Sequence, residues 1–204
     1  MKFFNFVSTV LHPLVMPFYF FLLFFFSAGI MRFPFSSVFN LLLFVVFTLI
    51  VLPGLSIFFS RKLLVIGNGN YSSKRDRTIV LAIMTFFYFF NFKIWHDKAG
   101  DVFYDYIFGN FALIAGLLLI FNFFYALDWY TIAWGSLLGF YLVLVNTGYG
   151  FQLGILSAII LLAGLLGVAR INQESVPGKS GNIYLSFFMG FAATFILGAG
   201  LIFF

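Results

Sequence analysis

Runs of about 20 apolar residues recur along the whole chain, and they constrain its fold more than any other feature. A run of this length crosses the hydrocarbon core of a bilayer as an α-helix, which satisfies its own backbone hydrogen bonds. The sequence therefore predicts an all-α polytopic membrane helix bundle with about seven transmembrane helices, or six if one segment is re-entrant. The predicted spans cover approximately residues 14–31, 38–59, 78–95, 105–125, 131–147, 150–169 and 183–204.

The composition excludes a soluble fold of this length. Hydrophobic residues make up 63% of the 204 residues and charged residues only 8%, so a water-soluble domain could not bury the apolar surface. The chain has no cysteine, which excludes disulfides and thiol catalysis, and its only histidines are His12 and His96. A histidine-rich metal site is therefore not expected. We expect a single transmembrane domain over residues 1–204, with no cofactor and no nucleic-acid partner.

Glycines in the predicted spans favour close helix packing. Gly135 and Gly139 form a G-xxx-G pair in the fifth span. Small residues at such positions let helix backbones approach each other in a membrane, and we expect this packing within the bundle rather than between two copies. The last two spans carry Gly164, Gly167, Gly190, Gly198 and Gly200.

Prolines and one turn divide the apolar sequence further. Pro17 and Pro53 lie inside predicted spans and are expected to kink them, because proline cannot donate a helical hydrogen bond. The segment "NTGYG", residues 146–150, predicts a turn that splits a long apolar block into two spans.

Basic residues in the loops predict the orientation in the membrane. With seven spans, eight basic residues lie on one side and three on the other, so the loop over residues 60–77 is expected in the cytoplasm. The eight are Lys2, Arg61, Lys62, Lys74, Arg75, Arg77, Arg170 and Lys179, and the three are Arg32, Lys93 and Lys98.

Three loops on the same predicted side gather polar residues in a layout suited to phosphate. Guanidinium groups from separate loops can fork onto phosphate oxygens. The loops are "SRKLLVIGNGNYSSKRDR", "ALDWYT" and "RINQESVPGKSGN". They carry Arg75, Arg77, Asp128, Tyr130, Arg170, Glu174 and Lys179, and His12 is expected near the same level.

Three segments of the chain resemble the elements of membrane-bound type-2 phosphatidic acid phosphatases, particularly their short, divergent bacterial members. "KRDRTIV" is similar to the arginine-containing first element, "DWYTIAWGSLLGF" to the second and "GVARINQESVPGKSGNIYLSFFMGF" to the third. The resemblance covers residues 60–200 and implies a site for a lipid phosphate. It places Arg75, Arg77, Arg170 and Lys179 at that phosphate, with His12, Asp128 and Tyr130 as accessory residues.

The catalytic positions of that family hold other residues in this chain. Asp128 and Tyr130 stand where the serine and the acid histidine are found, Val176 replaces the nucleophilic histidine, and Ser180 replaces the aspartate. No histidine occurs in residues 97–204. We expect Asp128 to cap the fifth span, since acidic residues are favoured at helix N-termini, rather than to act as a nucleophile.

The sequence thus predicts a phosphatase-like protein without catalytic residues that binds a lipid phosphate, either a phospholipid or a polyprenyl phosphate, between its helices. The alternative is a non-catalytic structural subunit of a larger membrane complex, whose basic loops set topology and contact anionic lipid. Both predict an integral protein of the bacterial cytoplasmic (inner) membrane, with a membrane lipid as partner in the first case and a membrane protein in the second.

Overall fold

A computed structural model describes residues 10–28, 35–63, 66, 73–99, 102–125, 127–148, 152–173 and 180–203 of the chain. The described residues are almost entirely helical, and they contain no strand. A short 3-10 turn, Pro13–Val15, precedes the helices α1 (Met16–Ala28), α2 (Phe35–Val45), α3 (Leu52–Lys62), α4 (Lys74–Ala99), α5 (Val102–Phe121), α6 (Trp129–Asn146), α7 (Leu153–Gln173) and α8 (Ser180–Phe203). A π-helical segment, Val46–Val51, joins α2 to α3.

The predicted class, an all-α polytopic membrane bundle, is confirmed. Among the described residues, six helices are long and apolar enough to cross a membrane. They are Val38–Lys62, Lys74–Asp97, Val102–Phe121, Trp129–Asn146, Leu153–Asn172 and Asn182–Gly200.

The first predicted span corresponds to a shorter apolar helix, Pro13–Ser27. At about 1.5 Å per residue this helix extends for about 22 Å, less than the roughly 30 Å of a bilayer core. Residues 29–31 of the predicted span lie outside the described residues. A seventh crossing therefore stays a prediction.

The two prolines in the predicted spans are accommodated differently. Pro17 lies in the first turn of α1, where no intrahelical donor is needed, and the predicted kink at this residue stays a prediction. Pro53 lies in the first turn of α3, directly after the π-helical segment. There the Leu52 N–H donates to Phe47 O, five residues back instead of four. The helix thus changes its hydrogen-bond pattern next to the residue that cannot donate.

The helices form two compact units, Met1–Phe39 with Leu127–Phe204 and Asn40–Ala126. In the first unit, α6 is the central helix, and twelve of its 18 residues are buried. Aromatic rings of α1 pack against it, with Phe20 and Phe140 at a centroid distance of 4.8 Å and Tyr19 and Trp134 at 6.0 Å.

Glycines bring α6 and α8 into backbone contact. A Cβ atom added at Gly135 would lie 2.0 Å from Phe187 O, and one added at Gly190 would lie 2.0 Å from Ile132 O. At Gly139 the corresponding distance, to Phe191 O, is 2.7 Å. The predicted close packing is therefore confirmed for these three glycines.

Three other glycines of the last two spans make no close contact with described residues. A Cβ atom at Gly164, Gly167 or Gly200 would meet nothing within 4 Å. The predicted close approach is therefore wrong at these three positions.

The turn after α6 confirms the predicted division of the apolar block. Gly148 has a φ of +89°, in the left-handed region that favours glycine, and its N–H donates to Val145 O. The Tyr141 hydroxyl then joins the two helices, because it donates to Gln152 O and accepts from Gln152 N–H, both at 2.9 Å. The start of α7 is thus tied to the side of α6.

Aromatic side chains build the second unit, in which α4 packs against α5. The Trp95 ring stacks on Phe108 at a centroid distance of 5.3 Å and an interplanar angle of 9°. At the same end of the helix pair, His96 Nδ1 lies 3.0 Å from Asp105 Oδ2. At the other end, the Lys74 ammonium donates to Phe123 O at 2.9 Å.

A methyl group at Gly135 is expected to destabilise the first unit. In the Gly135→Ala variant, α6 and α8 must separate to relieve the clash between the new methyl group and Phe187 O. Overpacking of this kind lowers the free energy of unfolding by about 1–3 kcal/mol. Gly164→Ala is the matched control. Its Cβ atom meets open space, and alanine stabilises a helix by up to about 1 kcal/mol relative to glycine. Denaturation in detergent would measure both, and equal stabilities for the two variants would contradict the packing described here.

Candidate functional site

The site begins at Asp128, the residue before α6. Its backbone is extended and its Oδ2 atom accepts a hydrogen bond from Thr131 N–H at 2.9 Å, so it is the N-cap that the sequence predicts. The positive end of the helix dipole stabilises this carboxylate.

The second carboxylate oxygen of Asp128 binds Arg170, in the last turn of α7. Arg170 Nε and Nη2 lie 2.9 Å and 2.8 Å from Asp128 Oδ1. The Asp128 side chain is 6% exposed and that of Arg170 is 22% exposed, so the pair is largely shielded from solvent. The ion pair therefore holds the beginning of α6 against the end of α7.

The Tyr130 ring covers the guanidinium group of Arg170 on one face. Arg170 Cζ lies 4.6 Å from the centroid of the Tyr130 ring, a cation–π contact. The His12 ring meets Tyr130 edge to face, with centroids 5.4 Å apart and an interplanar angle of 81°. Tyr130 thus contacts both His12 and Arg170, which come from distant parts of the chain.

His12 is held in its neutral form. Its Nδ1 atom accepts a hydrogen bond from Leu14 N–H at 3.2 Å, which requires an unprotonated nitrogen. Burial lowers the pKa of the His12 imidazole below its ordinary value of 6.5, because the charged ring would lose solvation. The ring therefore contributes packing and a hydrogen-bond acceptor, and no positive charge, at neutral pH.

Ser186 attaches the site to α8. Its Oγ atom accepts a hydrogen bond from Asp128 N–H at 2.9 Å and its hydroxyl donates to Asn182 O. Ser186 was not among the residues predicted from the sequence. The sequence carries no clear signal for it, because a helix that is apolar on all faces gives little information about which face is buried.

We call His12, Asp128, Tyr130, Arg170 and Ser186 the Arg170 cluster. Four of them were predicted from the sequence as site residues, and the structure brings these four together. Their pairing was not foreseen, because Arg170 was expected to face a phosphate and instead binds Asp128. A buried carboxylate needs such a partner, since an unpaired charge is strongly disfavoured inside a protein.

The other predicted phosphate ligands belong to the second unit or lie outside the described residues. Arg75 is exposed and Arg77 is partly buried, and both belong to the first turn of α4 in the second unit. Their convergence with Arg170, a residue of the first unit, stays a prediction. Lys179 lies outside the described residues.

The chemistry available to the cluster is anion recognition. A guanidinium group that is oriented by a carboxylate and an aromatic ring suits the planar, two-pronged contact of a phosphate. Both carboxylate oxygens of Asp128 already accept hydrogen bonds, which fits a capping and pairing role better than a nucleophilic one. Within the described ranges, no three His, Asp or Glu side chains are placed to share a metal ion.

Lowering the pH is expected to destabilise the protein through His12. Because its pKa is lower in the folded state, the unfolded chain binds the proton more readily, and the free energy of unfolding falls as the pH drops below about 6.5. His12→Asn keeps an acceptor for Leu14 N–H but cannot titrate. Thermal denaturation in detergent at pH 7.5 and pH 5 should show a smaller loss of stability for this variant, and an equal loss in both proteins would contradict the assignment.

Comparisons of the chain with protein-family models, with characterised proteins and with solved structures return no match. The resemblance to type-2 phosphatidic acid phosphatases stays a prediction from the three quoted segments.

Proposed function

We propose that this protein is a non-catalytic, phosphatase-like membrane protein that binds the phosphate group of a lipid at the Arg170 cluster. The observation that carries the proposal is that His12, Asp128, Tyr130 and Arg170 meet, although they come from three different segments of the chain. The sequence predicts Arg170 as a ligand of the phosphate and the other three as accessory residues of the same site.

The position of the cluster along the helices supports a lipid ligand. Asp128 and Tyr130 lie at the beginning of the candidate span Trp129–Asn146, and Arg170 lies near the end of Leu153–Asn172. His12 directly precedes the apolar helix Pro13–Ser27. Ends of membrane helices lie at the level of the lipid headgroups, where phosphate is abundant.

The geometry of Arg170 supports phosphate as the recognised group. Its guanidinium plane is fixed by the Tyr130 ring on one side and by Asp128 at its edge. Less conformational freedom is then lost on binding, and the fork of N–H donors matches phosphate oxygens. The 22% exposure of the side chain leaves part of the group accessible from the surface.

Basic residues of the second unit would add to lipid binding. Arg75 and Lys74 are exposed at the beginning of the candidate span Lys74–Asp97. Basic residues near an anionic membrane surface contribute about 1 kcal/mol each. Arg75 and Arg77 stay proposed ligands of a lipid phosphate.

A structural subunit of a larger membrane complex is the second candidate function. The observation that favours it is the exposure of α7, in which only 17% of the candidate span is buried. Either lipid or a partner protein can cover such a surface. Co-purification in mild detergent separates the two, because a stoichiometric partner protein would favour the subunit and a retained phospholipid would favour the lipid-binding function.

The protein is integral to a membrane, and we propose the bacterial cytoplasmic membrane as its location. This assignment follows from the bacterial branch of the resembled family and from the excess of basic residues on one predicted side. Lipid phosphates of both proposed types, phospholipids and polyprenyl phosphates, occur at that membrane.

Replacing Arg170 by lysine is expected to weaken phosphatidic acid binding about tenfold, although the charge is kept, because a two-pronged hydrogen bond is lost. The measurement is lipid retention by the purified protein in phosphatidylcholine nanodiscs that contain a small fraction of phosphatidic acid. Arg61→Lys, the same substitution at the end of α3, is the matched control. Equal binding by wild type and Arg170→Lys would contradict the proposed role of the cluster.

No turnover is expected on phosphatidic acid or on a polyprenyl pyrophosphate. The chain lacks histidine at the positions of the nucleophile and the acid, and both oxygens of Asp128 are engaged. Assays of phosphate release by the pure protein check this expectation. Release that is abolished by Asp128→Asn would contradict it and identify the carboxylate as a nucleophile.

A further inference from the structure

We infer that water binds inside the second unit, in a polar crevice that opens beside His96 and Asp105 and ends near the middle of the bilayer at Thr85. The inference concerns a different part of the molecule from the Arg170 cluster and is independent of the proposed function. It assigns a ligand to buried polar residues of α4 that neither candidate function uses.

These residues, Thr85, Tyr88, Asn91 and Trp95, form what we call the α4 polar face. They are three or four positions apart, a spacing that places neighbouring side chains on the same side of an α-helix. Tyr88 is 5% exposed and Asn91 is 2% exposed. At about 1.5 Å per residue the face extends for about 15 Å, which is half of a bilayer core of roughly 30 Å.

Each residue of the α4 polar face carries a buried polar atom that has no hydrogen-bond partner among the described residues. The atoms are Thr85 Oγ1, Tyr88 OH, Asn91 Oδ1 and Trp95 Nε1. Buried polar groups are in the great majority of cases paired with protein or with ordered water, because an unpaired group is costly. Four such atoms in one row therefore point to a common partner.

The helix α5 forms the opposite wall of the crevice. Trp95 stacks on Phe108 at a centroid distance of 5.3 Å, and the Tyr88 and Phe111 rings lie 5.9 Å apart. Asn110 lies between these two α5 residues in the sequence and is fully buried. A second buried amide thus lies at the level of the α4 polar face.

The π-helical segment Val46–Val51 packs against α4 at the same depth. The Phe44 ring, just before this segment, meets Trp95 at a centroid distance of 5.7 Å. The chain reverses direction between α3 and α4, so one turn onward from Phe44 corresponds to one turn back from Trp95. Thr48 therefore lies at the level of Asn91.

The π-helical segment also supplies a backbone acceptor. Its hydrogen-bond pattern pairs Leu52 N–H with Phe47 O, five residues back. The next carbonyl in this pattern is Thr48 O, and the residue five positions later is Pro53, which has no N–H to donate. Carbonyls that lose a donor in a membrane helix are satisfied by neighbouring helices, by side chains or by ordered water.

The crevice opens at the beginning of α5. His96 is exposed, and its Nδ1 atom lies 3.0 Å from Asp105 Oδ2. The other carboxylate oxygen, Asp105 Oδ1, is buried and has no hydrogen-bond partner in the described part of the chain. Water that enters beside this pair meets the carboxylate first, and then Trp95, the residue before His96.

Apolar side chains close the crevice at its inner end. Leu81 and Met84 are buried about one turn before Thr85 and Tyr88, and they offer no hydrogen bond. Water therefore enters from the His96 side and does not cross the unit by this route.

The mixture of donors and acceptors selects water over a cation. Trp95 Nε1 can only donate a hydrogen bond, and Asn91 Oδ1 can only accept one. A cation would satisfy the oxygen atom but would be repelled by the indole N–H, whereas one water molecule can serve both. Buried waters typically make about three hydrogen bonds to polar groups without other partners, which is what this row offers.

Radiolytic footprinting with hydroxyl radicals tests the inference, because radicals formed from bound water oxidise the side chains beside it. The protein is placed in nanodiscs with isotopically labelled water, and incorporation of the label is followed residue by residue. We expect Tyr88 and Trp95 to be labelled faster than Phe140, a fully buried aromatic residue of α6.

An apolar side chain at Asn91 should keep water from the inner half of the crevice. In Asn91→Leu we expect the labelling of Tyr88 to fall to that of Phe140, while Trp95, nearer the opening, stays labelled. Asn172→Leu is the matched control. Both asparagines donate to the carbonyl four residues earlier, but Asn172 is exposed at the end of α7.

The stability of Tyr88→Phe gives a second readout. If water binds the hydroxyl, its removal should lower the denaturation temperature in detergent by about 2–4 °C, the shift expected for one net hydrogen bond in a chain of this size. Removal of a dry, unpaired hydroxyl would instead stabilise the fold. Tyr184→Phe, at an exposed position of α8, is the control and should leave the temperature unchanged.

Labelling of Tyr88 and Trp95 in wild type, lost at Tyr88 in Asn91→Leu, supports the crevice. Labelling of Tyr88 no faster than that of Phe140 overturns it, and so does a Tyr88→Phe variant that is as stable as wild type or more stable. Labelling of Tyr88 that persists in a folded Asn91→Leu variant also overturns it, because water then arrives by another path. If that variant does not fold, the wild-type labelling and the Tyr88→Phe stability decide.

Discussion

The first unit depends on the backbone contact between α6 and α8. A bilayer supplies little hydrophobic driving force between helices, so association has to come from close van der Waals packing and from polar contacts. Gly135 and Gly190 provide the close approach from opposite helices, and the hydroxyl groups of Ser136 and Thr194 lie 2.7 Å apart beside it. With α8 fixed in this way, Ser186 reaches the backbone of Asp128, and the cap of α6 and its ion pair with Arg170 are built on that support.

The ion pair itself is better understood as a positioning device than as a source of stability. Burying two charges costs solvation that their attraction only partly returns, so a buried pair is weak ground for a stability argument. What the pair provides is orientation, because it fixes the guanidinium plane against the Tyr130 ring. A binding site at a membrane surface benefits from such rigidity, since a flexible arginine would lose more conformational entropy when it binds.

Much of the fold could be predicted from the sequence, because membrane helices are determined by length and apolarity alone. The Asp128 cap and the turn at Gly148 were also predictable, since each depends on a residue and its immediate neighbours. Helix rotation was not predictable. Gly135 and Gly164 look alike in the sequence, yet one faces a backbone oxygen and the other faces open space.

In the candidate site too, features that depend on neighbouring residues could be predicted from the sequence, and contacts between distant residues could not. The residue types and their positions in the loops predict Arg170 and Asp128 as site residues independently of each other. Both lie near a helix end, as expected. Their pairing depends on how α6 and α7 are rotated about their axes, which spacing along the chain does not specify. The apolar sequence made this harder, because helices that are hydrophobic on all faces carry little periodic signal about which face is buried.

The bond between Tyr141 and Gln152 has a consequence for how the chain enters the membrane. The backbone N–H of Gln152 donates to a phenol hydroxyl on the preceding helix, and its C=O accepts from that hydroxyl as well as from Ile155 N–H and Leu156 N–H. Unpaired backbone groups are costly in a medium without water, so the start of α7 is better accommodated once α6 lies beside it. We therefore expect α6 and α7 to insert into the membrane together as a helical hairpin. The Tyr141 hydroxyl joins the two helices at the end opposite to the Asp128–Arg170 ion pair.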